Sequence, residues 1–396
     1  MEPVTIVLAG IGGYGVKYVK DLLSGGGDCP FTLVGAVDPY PDQSPFLGEL
    51  MERGIPIYAS LEQFYAASRA DLAVICTPIQ FHCEHTCLAL SHGSHVLCEK
   101  PVSVTEDEAL RMIAARERAG RFAAVGYQWS YSAGMQALKR DILSGLFGKP
   151  KRLRTMVLWP RTDRYYARGW AGRKRDDKGT LILDSVANNA TAHYLHNMFY
   201  VLGRDIGASA QPAKVTAELY RANPIENYDT AAMRCYTEDG TELLYYGSHA
   251  VDRRVGALFH YEFEQAEVTL DDGQPGSPII ARFHSGGTKE YANPNVDSSV
   301  KLWAAIAAVR GERDRLVCGI EAALSHTLCI NAMQRSVEDI AEFPAELVKR
   351  GRPLWNHEDG NYVAGLADQL ELAFEQAVLP VEAGFEWARR GREVDV

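Results

Sequence analysis

Val4-Thr5-Ile6-Val7-Leu8-Ala9-Gly10-Ile11-Gly12-Gly13-Tyr14-Gly15 is the stretch on which the fold of this chain turns. An unbroken apolar run stops at a glycine and resumes, from Tyr14 to Leu23, with helical spacing. The first part predicts a strand buried on both faces, as in a parallel sheet. Gly10, Gly12 and Gly15 stand at G-x-G-x-x-G spacing, and each has a separate task. The first lets the chain turn sharply, the second admits a pyrophosphate close to backbone, and the third lets helix and strand pack closely. Gly13 and Tyr14 complete the turn, where the unpaired N–H groups of a helix start would face the phosphate.

Working outward, Phe31 to Val37 predicts the next strand, and it ends at Asp38. A carboxylate about 20 residues past the last glycine is where a dinucleotide site needs one, because it accepts from both ribose hydroxyls. A 2′-phosphate would be repelled and no Arg follows closely, so NAD is expected and NADP disfavoured. Strands and helices then alternate: Leu61 to Ala67 helical, Asp71 to Cys76 a strand, His82 to Ser91 helical, His95 to Cys98 a strand. Thr105 and Glu108 form a capping box for a helix reaching about Ala119, and Phe122 to Val125 is one more strand. This alternation predicts an α/β Rossmann domain, a doubly wound parallel sheet, over residues 1–125. In such sheets ligands bind beyond the carboxyl ends of the strands. Thr77-Pro78, Glu99-Lys100-Pro101 and Gly126-Tyr127-Gln128 all follow strand ends, as do the glycines and Asp38.

The texture changes from residue 126. Arg152 to Trp159, Lys214 to Tyr220, Ala231 to Tyr236, Thr241 to Ser248, Leu258 to Glu264 and Ala266 to Leu270 read as strands separated by polar turns. Residues 126–340 are expected to form an α+β domain on a large, mainly antiparallel open sheet that binds substrate. Such a sheet must be covered, and subunit packing, as a homodimer or homotetramer, is expected there. Ser298 to Val309 and Ile320 to Ser336 read as helices. Residues 341–396 form an extension expected to pack on the second domain, with an amphipathic helix near Tyr362 to Gln376; Trp355 and His357 are candidates to reach the site.

Composition removes other classes. A net charge of −10 with 46% hydrophobic residues argues against a general nucleic-acid or anionic-membrane binder. No apolar run is long enough to span a bilayer, and the N-terminus is strand-like rather than a leader. Eight cysteines without a C-x-x-C pair suit reduced thiols in a cytoplasmic protein.

The glycine turn, Thr77-Pro78-Ile79-Gln80-Phe81-His82, Glu99-Lys100-Pro101 and Gly126-Tyr127-Gln128 resemble, in order and spacing, the Gfo/Idh/MocA oxidoreductases, over roughly residues 3 to 335. That resemblance implies a nicotinamide cofactor, sugar or cyclitol substrates, and oligomers built through the C-terminal sheet. It gives Lys100 a place at both the nicotinamide ribose and the reacting hydroxyl, makes Glu99 a cofactor or positioning residue, and adds His82 and Gln128 to the cofactor site. An ammonium beside the carbinol oxygen favours alkoxide character as hydride leaves.

The family's second signature, L-x-D-x-G-x-H-x-x-D, is imperfect here. Asp184 matches its aspartate, but Asn188 stands where the histidine belongs, while His193 fits when counted back from Leu202-Gly203. Asn188 cannot take a proton and His193 can, so His193 is the expected base, with Asp184 orienting it or relaying its proton. On a helix, Asn189, His193 and His196 or Asn197 would share a face. In the basic, aromatic loop from Arg161 to Arg175, Tyr165 and Trp170 could stack on a sugar, and Arg161 or Arg164 could hold hydroxyls or an acid group. His82, Cys83, His85 and Cys87 lack metal-site spacing, and no metal is expected. Two alternatives to an NAD-dependent dehydrogenase stand: redox-assisted glycoside cleavage with NAD used transiently, and an inactive nucleotide-binding regulator.

Overall fold

A computed structural model of the chain describes residues 2–26, 29–274, 276–295, 297–312, 316–352 and 358–396. Trp355 and His357 therefore lie outside the described residues. The chain divides into two compact units, one of residues 1–132 and 297–324, the other of 133–296 and 325–396.

The first unit holds a six-stranded parallel sheet of β1 (Val4–Ala9), β2 (Phe31–Val37), β3 (Ile57–Tyr58), β4 (Leu72–Ile75), β5 (His95–Cys98) and β6 (Ala123–Val125). Its order is β3-β2-β1-β4-β5-β6. The order reverses at β1, which pairs with both β2 and β4, and that switch point is where a doubly wound sheet opens a crevice for ligands. Alternate residues Ile6, Leu8, Leu72, Val74 and Leu97 pack on one face against Tyr18, Val19 and Leu22 of the helix Gly15–Ser24. Val7, Ala73 and Val96, the residues between, are equally buried. Burial on both sides is why these strands read as unbroken apolar runs. The capping box at Thr105 and Glu108 is present and starts the helix Glu106–Ala119.

One boundary differs from the expectation. The helix Val300–Val309 belongs to the first unit, where Leu302, Ala305 and Ile306 join the core beneath β1 and β4. An uninterrupted second domain over 126–340 would place it elsewhere; its apolar stripe packs beneath strands more than two hundred residues earlier in the chain.

The second unit is built on a ten-stranded mixed sheet: β7 (Pro150–Leu158), β8 (Pro212–Arg221), β9 (Thr230–Thr237), β10 (Glu242–Ser248), β11 (Val255–Phe263), β12 (Ala266–Asp271), β13 (Ile279–Phe283), β14 (Thr288–Tyr291) and β15 (Ala341–Glu342), with Val394–Asp395 on β8. Most pairings are antiparallel; β7 with β10 and β8 with β15 are parallel. The period of two splits the sheet into two apolar faces. From one, Tyr245 and Tyr261 reach Thr191 and Asn197 at the start and middle of the buried helix Ala192–Val201. On the other, Met156, Leu158, Leu244 and Tyr246 pack against Leu366, Leu370, Ala373 and Trp387. Arg154 of β7 clamps the end of the helix Leu366–Gln376, donating to Phe374 O at 2.5 Å and Glu375 O at 2.7 Å. The chain's own extension thus covers one face of this sheet.

Candidate active site

The four glycines of the first turn differ in what surrounds them. Gly10 has φ +90°, and a Cβ there would stand 2.5 Å from Cys76 O. At Gly15 a Cβ would stand 2.0 Å from Gly10 O, so helix and turn close only on glycine. Gly12 and Gly13 face open space, the nearest atom to a Cβ on Gly12 being Asp38 Oδ2 at 4.0 Å. That is the arrangement a pyrophosphate needs, with room on the ligand side and none behind. Tyr14 precedes the helix without any side chain capping its N–H groups. Asp38 Oδ2 accepts the Ile11 N–H at 3.0 Å and its Oδ1 the Tyr40 N–H at 2.9 Å. Each oxygen keeps a lone pair for a ribose hydroxyl.

Parallel strands deliver Thr77, Pro78, Glu99, Lys100 and Gln128 to the same edge as the glycines. Glu99 is buried there and its carboxylate is fully engaged. Tyr18 donates to Oε1 at 2.6 Å, the Lys100 backbone N–H donates to Oε2 at 3.1 Å, and Lys301 forms an ion pair with Oε1. Lys301 Nζ also reaches Gly126 O at 3.2 Å and Tyr14 Oη at 3.4 Å. Burial alone would raise the Glu99 carboxyl, but Lys301 overrides it and holds it below its ordinary value; burial would lower Lys301, and Glu99 raises it. Glu99 is accordingly tied through Lys301 to the glycine turn. His82 lies between two carbonyls, its Nε2 2.9 Å from Thr77 O and its Nδ1 2.8 Å from Pro101 O, and a neutral ring donates to one of them.

In the second unit Asp184 is buried, accepting the Gly172 N–H at 2.6 Å and Asn189 Nδ2 at 2.8 Å. It thereby ties the loop carrying Trp170 to Asn189. Tyr165 and Trp170 meet edge to face at 6.4 Å, and the Arg161 guanidinium lies 5.0 Å from the Tyr165 ring. Asp184 raises the Tyr165 hydroxyl pKa, after burial, so these residues share one neighbourhood. Arg164 faces elsewhere, paired with Glu358 at 3.1 Å.

The helix expected to carry Asn189 begins only at Ala192. Leu183 has φ +51°, Ser185 Oγ accepts the Asn188 N–H at 3.1 Å, and Thr191 Oγ1 bonds Val186 O at 2.5 Å. Side chains of Ser, Thr and Asn here compete for backbone that a helix would need. Asn189 and His193 therefore do not sit on one helical face. Asn188 donates its amide to Leu183 O at 3.0 Å, a structural task, while His193 stands buried on the first turn of the helix. His196, one turn on, is held far below its ordinary pKa by burial, His326 and Lys139, which suits a packed neutral ring rather than a base.

Residues 4–127 match the family described as "Oxidoreductase family, NAD-binding Rossmann fold". That model is of the Gfo/Idh/MocA oxidoreductases, and it is the N-terminal third of the chain that is similar to it. A relative from Comamonas testosteroni, 1-carboxy-3-chloro-3,4-dihydroxycyclohexa-1,5-diene dehydrogenase, is 31% identical over 35% of this chain, which spans about a third (33%) of that protein's length. The 1,5-anhydro-D-fructose reductase of Ensifer adhaerens is 24% identical over 62% of this chain and 77% of its own. Among solved structures, the WlbA dehydrogenase from Bordetella pertussis, in complex with NADH and UDP-GlcNAcA, superposes with a TM-score of 0.68 at 20% identity, covering 85% of this chain and 96% of that one.

Against that family background, Lys301 is the site residue the sequence did not disclose. It stands in Val300-Lys301-Leu302-Trp303, the start of an otherwise apolar helix, and a single cation there reads as solvent-facing. The usable signal was the helix around it: a lysine in a run that apolar can be buried only against a partner carboxylate. Among the described residues no group of three or more His, Cys, Asp and Glu side chains is arranged to hold a metal ion.

Proposed function

We propose that this chain is an NAD-dependent dehydrogenase acting on a secondary alcohol of a sugar, a cyclitol or a derivative of one. The Glu99–Lys100 corner carries the proposal: a lysine at a parallel strand end, its N–H held by a buried carboxylate that is itself tied to the glycine turn. The named relatives that act on or bind sugar derivatives support the substrate class. NAD, when bound, supplies the hydride acceptor, and the open ground at Gly12 and Gly13 with Asp38 beside it fits its pyrophosphate and ribose.

The remaining work falls to side chains. The Lys100 ammonium stabilises the charge that builds on the carbinol oxygen as its C–H bond breaks. His193 takes the hydroxyl proton, the role that Asn188 cannot fill. Asp184 holds Asn189 and the Trp170 loop in place, and Tyr165, Trp170, Arg161 and Asn189 contact the sugar. A cytoplasmic setting agrees with cysteines that form no disulfide among the described residues, and no helix among them is long and apolar enough to cross a membrane. If subunits associate, the covered centre of the sheet leaves its edges and other surfaces for the contact. A plate screen of polyols and sugars with NAD, read as NADH absorbance, tests the assignment. Turnover of at least one polyol, lost in Lys100→Ala, is expected; a Lys100→Ala variant as active as the parent would remove Lys100 from the mechanism.

A further inference from the structure

Three arginines of the second unit stand apart from the rest. Arg254 lies over the Trp159 ring at 4.2 Å, Arg161 over Tyr165 at 5.0 Å, and Arg168 between Tyr165 and Trp170 at 4.9 and 5.8 Å. None of the three forms an ion pair with a described residue. Their neighbours do: Arg253 binds Asp368 and Glu371, both at 2.7 Å, and Arg350 pairs with Asp163. Asp272, the carboxylate nearest Arg254, is taken up by Asn293 and Asn295 at 3.0 and 2.7 Å.

The three cations belong to one surface. Trp159 O accepts from His249 Nδ1 at 2.8 Å, the His249 ring meets Tyr165 at 5.7 Å, and Trp159 meets Tyr194 at 5.4 Å. His249 is buried, and burial and Arg161 push its pKa down to about 3. The ring is therefore neutral, with its proton on Nδ1, and its buried Nε2 lone pair has no partner among the described residues. Arg254 also lines a cleft of about 490 Å³ with Asp272, Asn293 and Asn295, within the roughly 300–1,000 Å³ of small-molecule sites. Burial and the nearby Arg161 pull the Arg254 pKa down, and Tyr194 and Asp272 offset this only in part.

We propose that Arg161, Arg168 and Arg254 form a subsite for the oxyanion of an acidic sugar, a carboxylate or phosphate ester. The sugar ring lies on the aromatic faces and one of its hydroxyls donates to His249 Nε2. Guanidinium forks match both oxyanions, and an aromatic floor excludes the water that would compete. The inference rests on the dehydrogenase function proposed above.

The test compares matched hexoses, hexuronates and hexose phosphates as substrates with NAD. The expected kcat/KM favours one acidic set over its neutral hexose by roughly 10- to 100-fold, the range of a charge-assisted hydrogen bond to a carboxylate or phosphate. That ratio should shrink towards one in Arg254→Gln and Arg161→Gln, both at partly exposed positions, and fall with added salt. Which acidic set is favoured tells carboxylate from phosphate. Equal rates with neutral and acidic sugars, or a ratio untouched in both variants, would overturn the subsite and leave the dehydrogenase standing. If no sugar yields NADH, the dehydrogenase assignment falls, and tryptophan fluorescence titrated with the same acids decides the subsite. Saturable quenching lost in Arg254→Gln supports it; no saturable quenching by either acidic set overturns it.

Discussion

Replacing Lys301 by methionine keeps much of the side chain's length and removes its charge. Glu99 is then a buried anion whose ion pair is gone. Removing one partner of a buried pair costs about 3–5 kcal/mol. Glu99 keeps Tyr18 at 2.6 Å and the Lys100 N–H at 3.1 Å, so a value near the lower end, about 3 kcal/mol, is expected at neutral pH. The sign of the pH dependence follows from the shifts. Glu99 lies below its ordinary 4.5 when folded, so its contribution is present above that value and disappears as pH falls through the depressed one. Lys301 lies above its ordinary 10.5, so its contribution is present below that value and disappears as pH rises past the raised one. In Lys301→Met the carboxyl rises, and the deficit should shrink as pH falls into the carboxylate range. Urea denaturation at several pH values measures this, with Glu99→Gln/Lys301→Met as the second arm. The double variant, free of a buried charge, should lose less than Lys301→Met alone. A single variant within about 1 kcal/mol of the parent at neutral pH, or a double variant at the sum of the singles, would refute the pair as described.

Asp38→Ser should weaken NAD binding roughly tenfold while narrowing the preference over NADP, because it removes a charge-assisted acceptor; nucleotide fluorescence titration measures both. Glu218 is buried beside Tyr220 and its pKa is raised to about 7, mainly by burial. A raised carboxyl penalises the fold as pH climbs from its ordinary range through about 7, so Glu218→Gln should stabilise by up to about 3 kcal/mol above that pH and by little in acid, read from denaturation curves. Deleting residues 365–396 would strip Leu366, Leu370 and Trp387 from Met156, Leu158 and Tyr246, so the shortened chain should associate or aggregate where the full chain does not, as light scattering would report.

The parts legible in the sequence were those fixed by neighbours along the chain. The glycine turn, the buried strands around it and the capping box at Thr105 depend on contacts within a few residues or on one repeated βα unit. The edge carrying Asp38, Thr77 and Lys100 followed, since parallel strands must deliver their carboxyl ends together. What escaped was long-range or locally frustrated. Lys301 meets Glu99 across some two hundred residues, and no local pattern announces that. The stretch before Ala192 has the composition of a helix start, but Ser185, Asn188 and Thr191 each hold backbone in turns. The amphipathic helix Leu366–Gln376 was legible from its spacing, but which strands it and Trp387 pack on is set by contacts far along the chain.

Hydride transfer itself is the most direct measurement of the central claim. Sugars and cyclitols deuterated at each carbinol carbon, incubated with the protein and NAD, are followed by mass spectrometry of the nucleotide. Deuterium should appear in NADH from one labelled position, at a rate that collapses in Lys100→Ala and His193→Ala. NADH carrying no deuterium from any labelled position, or product formed without net NADH, would contradict a dehydrogenase.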